Sequence, residues 1–577
     1  MKVIVSVLTL VIALICFATE KTSAQTNDTL YVYADSGLSL DETIMSDTTS
    51  YGVLAHKVYK LVSLNLTYVF LSDITVNSDI EVIGQLGSDG RPPCIQPGLD
   101  PDGEVPTQLF VLNGRGITGK FKDLYLLGTS TINTTDCADA ISVTEDSVKV
   151  IVDNVVFDAW WGNSVYYLGN WDKFYITNSV FRNFTSPWSY CGEAFRNGNG
   201  TGYTDTISFK NNTFFCGYCY AACPVTAALV NYFDFSNNNV MWFFNAPFWI
   251  FNVTNAKINN NIFYGVWAGC QNNTEYYGKW DQLLSLEVGS TIDLDSLTKR
   301  TAADFGIDTS LSNWRTLAEQ KRNIEVKNNA YYTPSKLSDF YKTWNDTASE
   351  DYYLNINPFM NDRTTGMFTD KTMWPGLTES GNMNVDPGFG SSILSVLDNN
   401  VGNGIGLLEY FTELRTNNPD PGYYGYQLQD VVGDTWVPTW PLPEKTDMQY
   451  SNSALKTGST TGSVIGDPNW FGIDTDVKET SSKIPATFSL SNAYPNPFNP
   501  STNIQFTVAK SENVKLVVYN TLGQKVKTLV NQSFQPGSYT ISWNGTDEHG
   551  ASMASGIYFY RFESQSFTSA KKMILMK

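Results

Sequence analysis

Four carboxylic acids lie close together in the middle of the sequence, at Asp158, Asp172, Glu193 and Asp205. Glycosidases use two carboxyl groups that face the same glycosidic bond, one as the acid and the other as nucleophile or base. These residues fall in neighbouring segments, so a pair of them can meet in the folded chain. We therefore take Asp158, Asp172 and Glu193 as candidates for catalysis.

Two arginines, Arg182 and Arg196, occur in the same segments. A polysaccharide lyase needs an Arg or Lys base, often with calcium to neutralise an acidic substrate. Arg196 therefore joins the catalytic candidates. No sequence motif surrounds any of these residues, however, and charged side chains in loops are most often simply solvated. Solvated loop charges are the alternative interpretation.

Aromatic residues are frequent in the same part of the chain. Flat rings next to amides and carboxylates suit the C–H faces of sugars, but large aromatics also fill protein cores. Five tryptophans have this setting: Trp160, Trp161, Trp171, Trp188 and Trp267. We predict that they bind carbohydrate, with burial in the core as the alternative.

The composition of the 577-residue chain excludes several classes of protein. With 42% hydrophobic and 16% charged residues the chain is expected to fold. Two histidines nearly exclude a histidine-based triad or a multi-histidine metal site. A net charge of −19 disfavours nucleic acid and anionic membranes as partners. It also repels polyuronates, so a neutral glycan is the expected ligand.

One short acidic run, with Asp100, Asp102 and Glu104, has the oxygen ligands that calcium prefers. The run is too short for an EF-hand loop, so we expect at most a structural calcium ion there. No other cofactor is predicted.

The N-terminus has the pattern of a secretory signal peptide over residues 1–24. Lys2 precedes an apolar run from Val3 to Phe17, and small residues follow up to Ala24. No later apolar run is long enough to cross a bilayer, so we expect no transmembrane span in the mature chain.

Export implies an oxidising compartment, in which cysteines are disulfide candidates. The candidates are Cys191, Cys216, Cys219, Cys223 and Cys270. A zinc ion held by the cluster from Cys216 to Cys223 with a fourth thiolate is the alternative. The chain has no second CxxC pair at zinc-ribbon spacing and no histidine near this cluster, which favours disulfides.

A short motif recurs through the central chain, in which apolar alternation leads to an asparagine and then to another apolar residue. ITNSVF, FKNNTF and INNNIF are examples. Spaced by 24, 33, 26, 23 and 68 residues, the asparagines are Asn154, Asn178, Asn211, Asn237, Asn260 and Asn328. Short strands repeated in this way predict stacked parallel coils. Equivalent carboxamides would then bond to their neighbours above and below and set the register of the coils.

The repeat predicts an all-β fold and favours stacked coils over a β-sandwich, which is the alternative, because sandwich strands have no reason to repeat one polar residue at one offset. The segments TYVFLSDITVNSDIEVIGQLG and FKDLYLLG resemble the entry coils of right-handed parallel β-helices of the pectin-lyase-like superfamily. The resemblance implies such a β-helix over residues 25–471, with loop insertions and an irregular closing region. The Gly-His-Gly, Asp-His and Asp-Phe-Ile-Phe-Gly motifs of its enzymes are missing, which puts catalysis in doubt.

Two helices are expected beside the strands. Ser39 and Glu42 have the spacing of a capping box and predict a short helix that covers the open end of the stack. Residues 303–322 predict a second helix with apolar residues on one face.

The C-terminal segment contains the most specific motifs of the sequence. YPNPFNP is followed by NTLGQKV, WNGTDEHG, GIYFY and finally KKMILMK. In this order they resemble the type A C-terminal sorting domain of the type IX secretion system, over residues 485–577, with a linker expected at 472–484. The residues that carry the resemblance include Pro495, Asn496, Pro497, Phe498, Asn499, Pro500, Gly523 and Gly556. About seven short alternating strands also predict a small immunoglobulin-like β-sandwich.

The resemblance implies export through the periplasm and across an outer membrane by the type IX machinery, followed by release or attachment at the cell surface. We therefore predict a two-domain exported protein that binds or processes extracellular polysaccharide. The enzyme classes considered are polysaccharide lyase and glycoside hydrolase. A non-enzymatic structural or adhesive surface protein is the alternative, since it requires neither clustered ionisable residues nor exposed tryptophans.

Overall fold

A computed structural model describes most of the chain. It covers residues 28–49, 52–62, 66–87, 90–130, 137–184, 193–198, 202–217, 221–222, 229–243, 247–248, 252–266, 292, 294, 297–346, 358–398, 406–409, 429–432, 435–438, 445–460, 462–472, 477–481, 487–499, 502–510, 512–534, 537–548 and 551–576. The predicted signal peptide, 1–24, lies outside these residues.

Short strands make up most of the described chain. In the N-terminal region they are β1 (Thr29–Val32), β2 (Val58–Leu61), β3 (Thr67–Phe70), β4 (Ile74–Val76), β5 (Ile80–Gly84), β6 (Cys94–Pro97), β7 (Gln108–Leu112), β8 (Thr118–Leu127), β9 (Asp139–Val143), β10 (Lys149–Asp158), β11 (Asn163–Tyr167) and β12 (Asp172–Thr177). They continue with β13 (Val180–Phe184), β14 (Glu193–Asn197), β15 (Tyr203–Lys210), β16 (Thr213–Gly217), β17 (Leu229–Ser236), β18 (Asn239–Phe243), β19 (Val253–Asn259), β20 (Ile262–Tyr264), β21 (Asn323–Lys327), β22 (Ala330–Tyr332), β23 (Leu377–Ser380) and β24 (Met383–Asn384).

The remaining strands and the helices are fewer. The strands are β25 (Gln429–Val432), β26 (Thr435–Pro438), β27 (Val477–Ser481), β28 (Ser489–Leu490), β29 (Thr502–Val508), β30 (Glu512–Tyr519), β31 (Lys525–Phe534), β32 (Gly537–Trp543), β33 (Gly556–Ser564) and β34 (Thr568–Leu575). The helices are α1 (Leu40–Ser46), α2 (Lys299–Asp304), α3 (Trp314–Glu319), α4 (Ser335–Asn345), α5 (Asp362–Thr369), α6 (Ser391–Ser395) and α7 (Lys445–Met448), with a 3₁₀ turn at Pro468–Phe471.

Within the described residues, 19 of the strands form one sheet that is parallel throughout, and β4, β7, β9, β11 and β14 form a second parallel sheet. In the large sheet each strand pairs with the strand one repeat further along the chain. Lys149 of β10 lies opposite Lys173 of β12, which lies opposite Thr206 of β15. The sequence repeat therefore sets the strand pairing.

Alternation along the strands separates the core from the surface. On β12, Phe174 and Ile176 are fully buried, while Tyr175 between them is partly exposed. Equivalent residues of successive repeats stack in the core, as in Phe157 on Phe181, whose ring centroids are 4.7 Å apart. Parallel in-register pairing places like residues above one another at the interstrand spacing, which explains the aromatic stack.

Each repeat turns a corner at a residue with left-handed backbone conformation. The corner residues have φ between 52° and 58° and include all six asparagines of the sequence motif: Asn154, Asn178, Asn211, Asn237, Asn260 and Asn328. Asp123 holds the same place in an earlier repeat, with φ 55°. Asparagine and aspartate tolerate this conformation because their short polar side chains bond locally.

The buried ladder of amide side chains runs through the residue that follows each corner. Asn212 Nδ2 donates to Asn238 Oδ1 at 3.0 Å, and Asn238 Nδ2 donates to Asn261 Oδ1 at 3.2 Å. Asn329 and Asn382 continue the series, with bonds of 2.9 Å each. One step of the predicted ladder is also present at the corners, where Asn211 Nδ2 donates to Asn178 Oδ1 at 3.3 Å, but the continuous buried series lies one residue further along each repeat. The left-handed residue turns its own side chain away from the core, so the next side chain points into it.

Residues 330–471 include segments that fold back over the outer face of the large sheet. Outward-facing Phe215, Met241 and Tyr264 form an apolar cluster with residues such as Ile393 and Ile465 from these segments. This half of the parallel sheet is thus covered on both faces, as parallel sheets usually are.

The helices agree in part with the sequence prediction. Ser39 and Glu42 form the predicted capping box at the start of α1, which confirms that helix. The helix predicted at 303–322 is interrupted, because Gly306 has φ 72° and separates α2 from α3. Among the described residues, no helix has both the length and the apolar character needed to span a bilayer.

In the described residues of the C-terminal region, the strands form two four-stranded antiparallel sheets. Their strand orders are β27-β32-β29-β28 and β31-β30-β33-β34. Residues of both sheets, such as Ile504 and Leu516, share one apolar core. Strand β27 falls within the predicted linker at 472–484 and pairs with β32. Its polar composition did not prevent pairing, because backbone hydrogen bonds at a sheet edge require no apolar side chain.

Candidate functional site

The first catalytic candidate, Asp158, is buried in an ion pair. Its Oδ2 atom lies 2.7 Å from Nε of Arg182, and both side chains are 0% exposed. The hydroxyl of Tyr125 donates to the same carboxylate at 2.5 Å, and Asn183 Nδ2 donates to it at 2.8 Å. This carboxylate is therefore held inside the protein by its partners and does not face solvent.

The other two carboxylates are also buried, and they belong to different sheets. Asp172 begins β12 of the large sheet and accepts the N–H of Val148 at 2.8 Å, and burial raises its pKa to about 7. Glu193 begins β14 of the smaller sheet, and its Oε1 atom lies 3.8 Å from Nη1 of Arg196. Catalysis by a pair of these carboxylates remains a prediction, and the structure places Asp172 and Glu193 in different sheets.

The five tryptophans differ in exposure. Trp160 is 1% exposed and donates from Nε1 to the carbonyl of Leu126 at 3.0 Å, so it belongs to the core and offers no ring face to a sugar. Trp161 and Trp171 are 44% and 52% exposed. Trp188 and Trp267 lie outside the described residues.

Trp171 occupies a strained corner between β11 and β12. Its φ is 65°, where the preceding repeats have Gly116 at 74° and Ser147 at 63°. A bulky residue in this region costs about 1–2 kcal/mol and is a rare outlier. The ring of Trp171 lies 3.9 Å, centroid to centroid, from the ring of Tyr203. The strain is thus retained where two aromatic rings are presented at the surface.

Further aromatic residues lie on the same outer surface of the large sheet. Tyr175 lies on β12, four residues after Trp171. Tyr232 lies on β17, which is separated from β12 by β15. Trp171 and Tyr175, four residues apart, are separated by about 13 Å along the strand direction. Strands β12 and β17, two strand spacings apart, are separated by about 10 Å. We call Trp171, Tyr175, Tyr203 and Tyr232 the aromatic face.

Two pairs of opposite charges lie beside the aromatic face, and Lys149 Nζ lies 5.2 Å from the centroid of the Tyr175 ring. Lys173 lies 3.6 Å from Asp205, and Lys210 lies 3.0 Å from Asp234. The hydroxyl of Tyr232 donates to Asp234 at 3.2 Å, and burial together with this carboxylate raises the pKa of Tyr232, so that it stays protonated at neutral pH. Paired charges leave little net field for an ionic ligand but supply donors and acceptors for hydroxyl groups.

Sequence reasoning missed Tyr175, Tyr203 and Tyr232. The signal that locates Tyr175 is the alternation of β12, in which Phe174 and Ile176 face the core. Tyr203 shows no such signal, since its place beside Trp171 depends on strand pairing.

The predicted disulfides and calcium site remain predictions. Cys216 is buried on β16, and Cys191, Cys219, Cys223 and Cys270 lie outside the described residues. No disulfide joins the three cysteines that the structure describes, of which Cys94 and Cys137 are free thiols.

The acidic loop closes on itself. Asp100 Oδ1 accepts the N–H groups of Asp102 and Glu104, each at 2.9 Å. Nowhere in the described ranges do three or more His, Cys, Asp or Glu side chains converge as metal ligands.

The motif residues at the C-terminus lie against the last strand. Phe498 is 2% exposed and bonds through its backbone to β34, and Asn496 Oδ1 accepts an N–H of β34 at 2.8 Å. Gly523 has φ 76° in the turn between β30 and β31, and Gly556 begins β33. Pro500 lies outside the described residues. The YPNPFNP motif thus docks the entry chain onto the final strand.

Comparison with known proteins identifies this C-terminal region. Residues 492–576 match the family described as secretion system C-terminal sorting domain. The protein therefore carries a type IX secretion sorting domain and is delivered to the cell surface or secreted. No curated protein sequence matches the chain.

Two solved structures are similar over short segments. Dimeric latent PorU from Porphyromonas gingivalis is 23% identical over 16% of this chain and 10% of that chain, with a TM-score of 0.14. PorZ, a surface component of the type IX secretion system of the same organism, is 17% identical over 17% of this chain and 13% of that chain, with a TM-score of 0.13. The chain thus spans only a small part of either protein.

Proposed function

We propose that the exported protein binds a neutral extracellular glycan on its aromatic face, and that residues 25–471 form a right-handed parallel β-helix that presents this face. Residues 485–577 then serve export and are joined to the β-helix through 472–484. The pairing of each strand with the strand one repeat further supports the β-helix, since a chain that pairs in this way winds into stacked coils.

The observation that carries the binding proposal is the conformation of Trp171. Trp171 has a φ of 65°, which strains the backbone, and about half of its surface is exposed. Both the strain and the exposed apolar surface are unfavourable for folding. Trp242 has a similar φ of 57° but is fully buried, so it is the exposure of the Trp171 ring that supports a role in binding a ligand. The ring of Tyr203 beneath it and the paired charges nearby complete a surface suited to a neutral sugar.

Binding without catalysis is the version of this function that the site supports best. The carboxylates Asp158, Asp172 and Glu193 are each at most 1% exposed, so they are not presented to a glycosidic bond. The carboxylates near the aromatic face are partly buried Asp205 and buried Asp234, and each of them faces a lysine.

Trp171→Ala is expected to weaken glycan binding by roughly 10-fold or more, because burying an aromatic ring against a ligand contributes about 1.5–3 kcal/mol. The measurement is retention and titration of the purified full chain against a panel of neutral polysaccharides. Trp161→Ala is the matched control, since Trp161 is also exposed in the same repeat but lies before β11 and off the aromatic face. Equal losses in both variants, or no retention by the wild type, would contradict the proposal, and the latter would favour a structural or adhesive role.

Trp171→Gly separates binding from stability. Glycine adopts φ 65° without strain, which offsets the loss of the contact with Tyr203, worth about 0.5–1.5 kcal/mol. We expect the free energy of unfolding to stay within about 1 kcal/mol of the wild type while glycan binding is lost. A large loss of stability in urea unfolding would show that Trp171 is a packing residue instead.

A further inference from the structure

Residues 458–460 and 462–472, here called the strap, run along the left-handed corners of the large sheet. Asn328 Nδ2 donates to the carbonyl of Gly458 at 2.9 Å. Asn260 is bound from both sides of its amide, since it accepts the N–H of Thr460 at 2.8 Å and donates to the Thr460 hydroxyl at 3.0 Å. The corner asparagines thus hold a segment that lies more than a hundred residues further along the chain.

The strap continues towards earlier repeats. Asp467 N–H donates to Asn239 Oδ1 at 3.1 Å, and Asn469 Nδ2 reaches Asn178 Oδ1 at 3.2 Å and the carbonyl of Asn211 at 3.0 Å. These bonds cross successive strands in order, one repeat at a time. The strap ends at the entry to the segment that leads to the sorting domain.

The strap contains one buried carboxyl group, that of Asp467, which is 3% exposed. The hydroxyl of Thr213 donates to it at 2.8 Å, and Trp470 Nε1 donates to the same hydroxyl at 2.7 Å. Asn469 N–H donates to its other oxygen at 3.0 Å, and Asn239 contacts its backbone. The described groups that face this carboxyl, from the sheet and from the strap, are all neutral.

Burial without a compensating charge raises the pKa of Asp467 to about 7. In a released strap the carboxyl would be solvated and would titrate near its ordinary pKa of about 3.9. The docked state therefore binds the proton more tightly. Protonation of Asp467 therefore stabilises the docked strap fully below about pH 4. This stabilisation is lost as the pH rises through about 7.

We propose that the strap is a proton-controlled latch, docked along the corner asparagines while Asp467 is neutral and released when its carboxyl ionises. Release frees the 14 described residues of the strap and lengthens the connection between the parallel sheets and the sorting domain. It also uncovers part of the outer apolar cluster, because Val464 and Ile465 of the strap belong to that cluster.

Hydrogen exchange of the full chain at pH 5.5 and pH 8.5, corrected for intrinsic rates, tests the latch. We expect strap amides to exchange on the order of tenfold faster or more at pH 8.5, since ionisation of a single group with this shift changes the opening equilibrium by that amount. Asp467→Asn keeps the size of the side chain and removes the titrating charge, with an amide nitrogen in place of one acceptor oxygen, and is expected to show equal corrected protection at both pH values. Equal protection in the wild type, or a pH response that survives Asp467→Asn, would overturn the proposal.

Asn469→Ala is the matched control. It removes the bonds to Asn178 and Asn211 and one side-chain contact with Asp467 but keeps the Asp467 carboxyl, so strap exchange is expected to be faster at both pH values and still faster at pH 8.5 than at pH 5.5. The strand at 556–564 in the C-terminal sheets serves as an internal reference whose protection is not expected to change. If Asp467→Asn fails to fold, the wild type and Asn469→Ala still test the latch. Equal strap exchange at pH 5.5 and pH 8.5 in either protein would contradict it.

Discussion

Asn238→Ala is expected to lower the free energy of unfolding of the parallel-sheet region by about 3–5 kcal/mol. Asn238 Oδ1 accepts both the backbone N–H and the Nδ2 group of Asn212, at 2.9 and 3.0 Å, and its own Nδ2 donates to the carbonyl of Phe209 at 3.0 Å. Alanine leaves these buried groups unpaired, at about 1–3 kcal/mol each.

The preceding residue provides a matched control for this variant. Asn237 is the left-handed corner of the same repeat, with φ 57°, and its backbone N–H bond to the carbonyl of Asn259 survives substitution. Asn237→Gly is therefore expected to change the free energy of unfolding by less than about 1 kcal/mol. Urea unfolding followed by far-ultraviolet circular dichroism distinguishes the two. A larger loss of stability in Asn237→Gly than in Asn238→Ala would show that the corner asparagines form the stabilising ladder.

Arg182→Met is expected to cost about 3–5 kcal/mol, because it leaves the buried carboxylate of Asp158 without its counter-charge. The hydroxyl of Tyr125 and the amide of Asn183 remain as donors but do not neutralise it. Urea unfolding of the wild type and the variant at one pH measures this cost.

Adding Asp158→Asn to Arg182→Met is the corresponding control. Removing both charges avoids an isolated buried ion, so the double variant is expected to be more stable than Arg182→Met alone. Urea unfolding of both single variants and the double variant gives the coupling free energy of the pair. Additive effects would show that the two side chains do not stabilise one another.

The two ends of this chain illustrate different degrees of predictability. The C-terminal domain could be recognised from motifs spread over its whole length, and its alternating strands give two antiparallel sheets. For the N-terminal region, the asparagine repeat and the alternation of residues such as Phe174 and Tyr175 indicated parallel pairing at the correct spacing. Both signals are local in sequence, since each follows from side-chain period and from the corner that each repeat must turn.

The candidate site was less accessible from the sequence. Trp160 and Trp161 are adjacent in the chain, but one is buried and the other is exposed, because the corner between β10 and β11 directs them to opposite sides. Asp158 was interpreted as a loop charge or a catalytic acid, whereas its partner Arg182, one repeat further on, makes it part of the interior.

The sequence by itself determined that strands repeat, where each repeat turns, and that a sorting domain follows them, because these properties depend on residue type and spacing within about 30 residues. Only the tertiary structure decided which asparagine of each pair forms the buried ladder and which binds the strap. The sign of φ at one residue sends consecutive side chains to opposite sides, and the strap that bonds to Asn260 comes from 200 residues further along the chain. Contacts over that distance leave no periodic trace in the sequence.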